Sequence, residues 1–442
     1  MYCGSCLRDN ALAAELLRRG HDVTLMPMYT PTLTDEPNVS SHQPVLFGGI
    51  SVYLQQHVPW FRRSPWVFDR LWDAAPVIRA FAGRSVKTDP RMLGELTVSM
   101  LKGEDGHQKK EFDKLIDWLV SEPPPDVVNL PNSLLIAMAA PMRRALGRPV
   151  VVTLQGEDLF LDGLQEPYRS RSLALIRDQL RAVDRFLAVS AFCADRMHAL
   201  LNIPRDRIAV APLGINTDGY AGERTPQSRF TIGFFARVSP EKGLLELATA
   251  YRLLRRELDL PPSRLEAAGY LAPQHRAYLA DVERRMRDWG LNDEFRYRGV
   301  LDREGKIAFL RGLDVLSVPG PYPDPKGMYL LEAMATGTPV VQPRHGAYVE
   351  TIESTGGGLL VEPSPDGIAR GIHALWRDPA RREALGQCGA DGVRRSYSVA
   401  AEADRVLEIY ADVIAYASGT RTGVPAPDGG TAADAPIAPG SR

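Results

Sequence analysis

At 442 residues the chain is longer than a single core usually grows, so two domains and a tail are the first expectation. Apolar residues make up 44% and charged residues 24%, and 53 Lys plus Arg against 54 Asp plus Glu leave a formal charge of -1. That balance suits a globular protein in water and excludes a bulk electrostatic pull toward nucleic acid or membrane.

No run approaches the roughly 20 apolar residues that span a bilayer. The start, Met1-Tyr2-Cys3-Gly4-Ser5-Cys6, shows no basic segment followed by an apolar one, so no signal peptide is read. Four cysteines in so long a chain make no disulfide scaffold and favour a reducing cytoplasm. Cys3 and Cys6 are either half of a zinc or redox site or two small residues where a loop enters a helix. No second CxxC or CxxH follows, which favours the latter.

Ala11 to Arg18 reads as an amphipathic helix stopping at Gly20, and Asp22 to Met26 reads as a strand. A helix opening on a Gly-containing loop is normally fed by a strand, which predicts roughly ten further residues before Met1 forming one. Sequencing the native N-terminus tests that expectation. Tyr53, Trp60, Trp66, Trp72 and Phe81 lie in a helical-looking aromatic stretch. It is either an insertion shaping an acceptor cleft or, the safer reading, a helical hairpin packed on the domain.

Strands then follow at Asp126 to Leu130, Pro149 to Leu154, Phe186 to Ser190 and Ile208 to Pro212, with helices near Leu134 to Leu146, Tyr168 to Val183 and Phe192 to Leu201. A second βα series has strands at Phe230 to Ala236, Leu265 to Gly269, Phe295 to Arg298, Val315 to Val318, Pro339 to Pro343 and Leu359 to Val361. The expected class is α/β: two Rossmann-like, doubly wound domains facing across a cleft. Residues 1–212 form the first, 213–229 a linker, 230–395 the second, 396–416 a terminal helix and 417–442 a disordered tail.

Two segments carry chemistry. In Phe234-Phe235-Ala236-Arg237-Val238-Ser239-Pro240-Glu241-Lys242-Gly243 a buried strand ends and two cations follow around a turn. Cations so placed could bind a diphosphate and stabilise charge growing on a leaving group; alone, they are more often a solvated helix start. In Tyr322-Pro323-Asp324-Pro325-Lys326-Gly327-Met328-Tyr329-Leu330-Leu331-Glu332-Ala333-Met334-Ala335 a Pro/Gly loop opens a helix. Its free amides and dipole suit phosphate oxygens, Gly327 permits close approach, and Asp324 and Glu332 could accept hydroxyl hydrogen bonds. Glu332 sits among apolar residues and is expected to be half buried.

The pairing of Phe-Ala-Arg-Val-x-x-x-Lys-Gly with an acidic-x7-Glu segment ending in Leu-Glu-Ala-Met-Ala-x-Gly-x-Pro-Val-Val resembles glycosyltransferase family 4, retaining enzymes of the GT-B fold. The likeness is strongest from Phe186 to Tyr410 and fainter toward Met1, where Arg19-Gly20-His21-Asp22-Val23 matches the family's early helix-to-strand turn. It implies a transfer of a sugar from a nucleotide-diphosphate donor to an acceptor hydroxyl. Arg237 and Lys242 would clamp the diphosphate, Glu332 would bind the ribose, and Asp324 would touch the sugar. The backbone of Gly327, Met328 and Tyr329 would line sugar and phosphate. Arg298, Gly299 and Val300 would hold the base, and Gly4 would approach the phosphates across the cleft.

Two positions depart from the resemblance. Asp324 stands where the family usually has Glu, and Gln155 where many members have His after the strand at Val150 to Leu154. Gln cannot titrate near neutrality, though it can donate a hydrogen bond to a sugar hydroxyl. Glu157 and Asp158 are then either acceptor contacts, with a catalytic carboxylate less favoured, or an exposed acidic turn. His57 and His345 are further titratable groups that the sequence does not place. The family retains configuration by same-face substitution, the leaving diphosphate taking the acceptor's proton, which fits the lack of a nucleophile–base motif.

The implied partners are a nucleotide sugar and a carbohydrate or small-molecule acceptor, without nucleic acid or a transmembrane segment; peripheral membrane contact stays open. The nucleotide sugar is a co-substrate, and neither a resident cofactor nor a metal site is expected. Rival readings are a nucleotide-sugar epimerase and a catalytically silent sugar-nucleotide-binding protein.

Overall fold

The computed structural model describes residues 4–28, 34–40, 55–56, 90–224 and 227–420. The expectations for Cys3, His57, the aromatic residues Tyr53, Trp60, Trp66, Trp72 and Phe81, and the tail from 421 onward lie outside those residues.

The first half opens with α1 (Gly4–Arg18), followed by α2 (Pro90–Leu101) and α3 (Lys109–Ser121). Then come β1 (Val128–Leu130), α4 (Ala139–Leu146), β2 (Val150–Leu154), α5 (Asp158–Asp162), α6 (Tyr168–Gln179), β3 (Arg185–Ala188), α7 (Ala191–Leu201) and β4 (Ile208–Val210). These strands form a parallel sheet in the order β1-β2-β3-β4. β2 reads Val-Val-Val-Thr-Leu and is buried at all 5 positions, the pattern of a strand covered by helices on both faces.

Asp22 to Met26 is not a strand. The segment leaves α1 through Gly20, which has φ +88°, and has no ladder partner among the described residues. Its alternating apolar pattern is real, and Val23 packs against buried residues of the sheet and the last helix. A strand is defined by backbone pairing, however, and side-chain pattern alone does not supply it.

The second half contains β5 (Thr231–Phe235), α8 (Leu244–Arg256), β6 (Arg264–Ala268), α9 (Arg276–Asp288), β7 (Phe295–Tyr297), α10 (Arg303–Arg311) and β8 (Val315–Leu316). It continues through α11 (Met328–Ala335), β9 (Val340–Pro343), α12 (Tyr348–Thr355), β10 (Gly358–Val361), α13 (Pro365–Arg377), α14 (Pro379–Ser396) and α15 (Val399–Ala417). Its sheet is parallel, in the order β10-β9-β8-β5-β6-β7. The chain winds one way from β5 and the other way from β8, so the winding reverses between these neighbours. Ligands of open parallel sheets bind at the carboxyl ends beside such a reversal. Both motif segments follow these two strands.

α15 returns to the first half. Ala403, Val406, Ile409 and Val413 join Leu12 and Leu16 of α1 and Val151, Leu187 and Ala209 of the sheet in one buried cluster. Its entry is pinned by Ile215, whose amide donates to Tyr397 O at 2.9 Å and whose carbonyl accepts from Val399 N at 2.8 Å.

The halves also touch directly. Ser190 Oγ donates to Pro325 O at 2.7 Å, and Gly156 lies against the Pro325 ring. The Glu350 carboxylate accepts from the amides of Ala191 and Phe192 at 2.9 and 3.0 Å. An acid on one half thereby caps the amino end of α7 on the other.

Candidate functional site

β5 delivers its chain to a tight turn. Ser239 and Pro240 start it, Lys242 ends it, and Gly243 takes φ +78°. A Cβ at Gly243 would collide with the Pro319–Gly320 backbone, so the turn packs directly on the loop that leaves β8. This close approach brings the two motif segments together.

Lys242 forms an ion pair with Asp324, and its Nζ lies 5.3 Å from the centre of the Tyr329 ring. Asp324 is buried and also accepts from Lys326 N at 2.9 Å, Gly327 N at 3.3 Å and Tyr329 OH at 3.1 Å. Burial alone would raise its pKa, but Lys242's charge and the hydrogen bonds outweigh it and hold the carboxyl well below the ordinary range. Behind it, Tyr329 OH meets Tyr348 OH at 2.5 Å, and the His345 ring lies 5.5 Å from that of Tyr348. Burial lowers the His345 pKa.

Gly327, at φ +62°, ends the loop and starts α11. Glu332, on that helix, is 7% exposed, more deeply buried than its sequence surroundings suggest. It accepts from Lys306 Nζ at 2.7 Å and Tyr220 OH at 3.3 Å. Lys306 also reaches Asp35 Oδ2 at 2.5 Å, and Arg303 reaches Glu36 Oε1 at 2.7 Å. Burial pulls the Lys306 pKa down, and its carboxylate neighbours raise it further than burial lowers it.

Thus the two acids of the acidic-x7-Glu segment each hold a lysine on either side of the start of α11. Lys306 and Asp35 were invisible in the sequence. Lys306 follows an Asp302 helix cap and reads as an ordinary solvated charge, while Asp35 comes from a turn near the other end of the chain.

Arg237 is not joined to this network. Its side chain is 41% exposed and turns back onto Glu241 at 2.5 Å. Arg298 is exposed and 3.6 Å from Glu266, Gly299 has φ +76°, and Val300 is 50% exposed, leaving that edge open. Gly4 is exposed at the start of α1, with open space around it, and the adjacent Ser5 Oγ accepts from Lys326 Nζ at 2.8 Å.

Glu157 and Asp158 do not form an exposed acidic turn. Glu157 is buried, and its two oxygens accept the amides of Ser133 at 2.7 Å and Gln155 at 2.8 Å. Burial nevertheless pushes its pKa up. Asp158, 2% exposed, accepts from Arg196 Nε at 3.1 Å and from Tyr322 OH, across the domain boundary, at 2.8 Å. Gln155 is buried too. Its Nε2 donates to Pro131 O at 3.0 Å and to Asp9, so its spare atom is the acceptor Oε1 rather than a donor.

Leu7, Arg8, Asp35, Tyr220, Lys306, Met328 and Glu332 contribute to the lining of a cavity of about 20 Å³ between the halves, room for about one water. Among the described residues no group of three or more His, Cys, Asp or Glu could hold a metal ion, and no helix is long and apolar enough to cross a membrane.

Known proteins resemble the chain along both halves. Residues 221–391 match the family described as glycosyl transferases group 1, and residues 104–218 match glycosyltransferase family 4. A D-inositol 3-phosphate glycosyltransferase of Catenulispora acidiphila is 26% identical over 74% of this chain and 77% of its own length. A phosphatidyl-myo-inositol mannosyltransferase of Mycobacterium leprae is 34% identical over 46% of this chain and 53% of its own. Against several other curated relatives the chain spans about half of their length, 44% to 59%. Among solved structures, Anabaena HepE in complex with UDP has a TM-score of 0.60 at 18% identity, covering 70% of this chain and 84% of that one. A sucrose-phosphate synthase from Thermosynechococcus elongatus has 0.59 at 19%, covering 70% and 79%. With two parallel sheets, the motif pair at the winding reversal and these matches along both halves, the chain belongs to the group 1 glycosyltransferases of family 4, on the GT-B architecture.

Proposed function

We propose that the chain is a retaining glycosyltransferase that moves a sugar from a nucleotide-diphosphate donor to an acceptor hydroxyl. Residues 230–395 hold the donor, and residues 1–212 hold the acceptor. One observation carries this reading: Lys242–Asp324 and Lys306–Glu332 flank the start of α11 beside the reversal between β5 and β8. Lysines near a helix amino end suit a diphosphate, and buried carboxylates beside them suit ribose and sugar hydroxyls.

In the transfer, the bond from the anomeric carbon to the donor phosphate breaks and a bond to the acceptor oxygen forms on the same face. The acceptor's proton passes to the departing diphosphate. Lys242 and the α11 amides stabilise the charge left on that diphosphate, and Arg237 joins them by exchanging Glu241 for a phosphate oxygen. Asp324 and the Gly327–Tyr329 backbone orient the sugar, Glu332 the ribose, and the edge at Arg298 to Val300 the base. Gly4 approaches the phosphates from the first half. The chemistry asks for neither a metal nor a resident cofactor, the donor being a co-substrate. Ligand pockets usually enclose about 300–1,000 Å³, far more than the cavity of about 20 Å³ beside Lys306 and Glu332, so on this reading the halves part there to admit a donor.

The inositol-directed names of the relatives favour a cyclic polyol or its phosphate as acceptor. A cytoplasmic setting accords with Cys193 and Cys388 being free thiols. The test is thermal-shift screening with UDP-, GDP- and ADP-sugars, then donor turnover with and without D-inositol 3-phosphate, with the product's anomeric configuration read by NMR. Donor-specific stabilisation and acceptor-dependent transfer with retained configuration are expected. Turnover without an acceptor marks an epimerase or hydrolase instead, and binding without turnover marks a silent protein.

A further inference from the structure

Three elements bring buried polar groups together at the carboxyl end of the first sheet: the start of α1, the loop after β2, and α15. Arg8, 1% exposed, donates through Nε to Glu402 Oε1 at 2.5 Å and through Nη1 to Asp9 Oδ1 at 2.9 Å. Glu402 also accepts from Gly214 N at 2.8 Å. One carboxylate is enough to balance Arg8, yet the cluster holds two. The second is the accessible one: the Asp9 side chain is 18% exposed, that of Glu402 0%.

Asp9 receives Gln155 Nε2 at 3.2 Å on Oδ1 and 3.3 Å on Oδ2, leaving Oδ2 with hydrogen-bonding capacity to spare. Two atoms beside it have no partner, Gln155 Oε1 and Arg8 Nη2, on residues 4% and 1% exposed. Buried polar atoms are nearly always satisfied, so two orphans on the two residues that hold Asp9 point to a partner supplied by a substrate. Arg8 lines the small cavity that Lys306, Met328 and Glu332 line from the other half. Lys326, next but one to Asp324, donates at 2.8 Å to Ser5 Oγ, on the same helix as Asp9.

We propose that Asp9 contacts the acceptor. Its Oδ2 and the neighbouring Gln155 Oε1 accept hydrogen bonds from two hydroxyls of a polyol and so present the attacking oxygen to the donor held at the Asp324 loop. This rests on the glycosyltransferase reading and adds a residue to it. Two acceptor atoms with one spare donor, Arg8 Nη2, match a diol, whereas a bare anion placed here would meet the Asp9 charge.

The test uses the purified full chain, UDP-glucose and GDP-mannose as donors, and D-inositol 3-phosphate and glycerol as acceptors. In Asp9→Asn, acceptor-dependent nucleotide release falls at least about tenfold, the loss expected for one hydrogen bond to a charged group. The acceptor KM rises, while the thermal shift given by UDP or GDP stays as in the unmodified chain. Gln155→Met, which leaves the Arg8–Asp9 pair in place, shows the same acceptor-specific loss and decides alone should Asp9→Asn not fold. Unchanged acceptor kinetics overturn the proposal, and so does a loss shared equally by nucleotide binding, which would make Asp9 a counterion of Arg8. An unmodified chain that consumes neither donor removes the glycosyltransferase reading, and this one with it.

Discussion

Lys242 and Asp324 show how a catalytic assignment and a structural one become entangled at a single pair. Their side chains are 19% and 7% exposed, so removing the lysine leaves a carboxylate in a poorly solvated place. Lys242→Ala should therefore cost about 3 kcal/mol of stability as well as turnover. Adding Asp324→Asn to that variant should restore most of the melting temperature without restoring the rate, which separates folding from chemistry. Acid tests the same pair. Because folding lowers the Asp324 pKa, the stability it lends is complete above the ordinary carboxylate value and drains away as pH falls toward the folded one. Urea melts between about pH 5 and 2 should thus lose less in Asp324→Asn than in the natural chain. The sequence made Lys242, Asp324 and Glu332 legible because each lies in a short segment with fixed spacing. Lys306, Asp35 and Asp9 were not, because their significance comes from partners far along the chain, as in Lys306 with Asp35 and Asp9 with Gln155.

At the scale of elements, the meeting of two loops is what makes the site. Gly243 has φ +78° and no room for a side chain against the Pro319–Gly320 backbone. Gly243→Ala should cost about 1–3 kcal/mol, from backbone strain and from the shift of one loop away from the other. A denaturation midpoint measures the stability loss, and a weaker nucleotide thermal shift reports the displaced loop. Strands in both sheets were readable from their β-branched runs, to within a residue or two at the ends. Val150 to Leu154, buried throughout, could hardly be anything else. Asp22 to Met26 misled because local alternation records which side chains are apolar, not whether a neighbouring backbone is there to pair. The acidic pair Glu157–Asp158 misled in the other direction. Charge in a turn suggests solvent, but backbone amides, Arg196 and Tyr322 satisfy both residues inside the protein.

Across the whole molecule, contacts between the halves converge on groups assigned to substrates. Lys306 is shared between Glu332 on its own half and Asp35 on the other. Asp35→Asn should loosen that bond, ease separation of the halves and lower the donor KM by about twofold to fivefold, the scale of one partly buried ion pair. Steady-state kinetics at saturating acceptor would show it, and an unchanged or raised KM would speak against the contact as a barrier to entry. The return of α15 has a further consequence, for how the protein is made. Val151, Leu187 and Ala209 find part of their cover only in Ala403, Val406 and Ile409. A ribosome emits the first sheet long before the helix that closes it, so the nascent sheet must wait with one apolar face covered only in part, by Leu12 and Leu16 of α1. Maturation of the amino-terminal half then becomes a post-translational event, and a chaperone that shields β-rich intermediates should raise the yield of active enzyme more than it would for a protein whose halves are each finished in order.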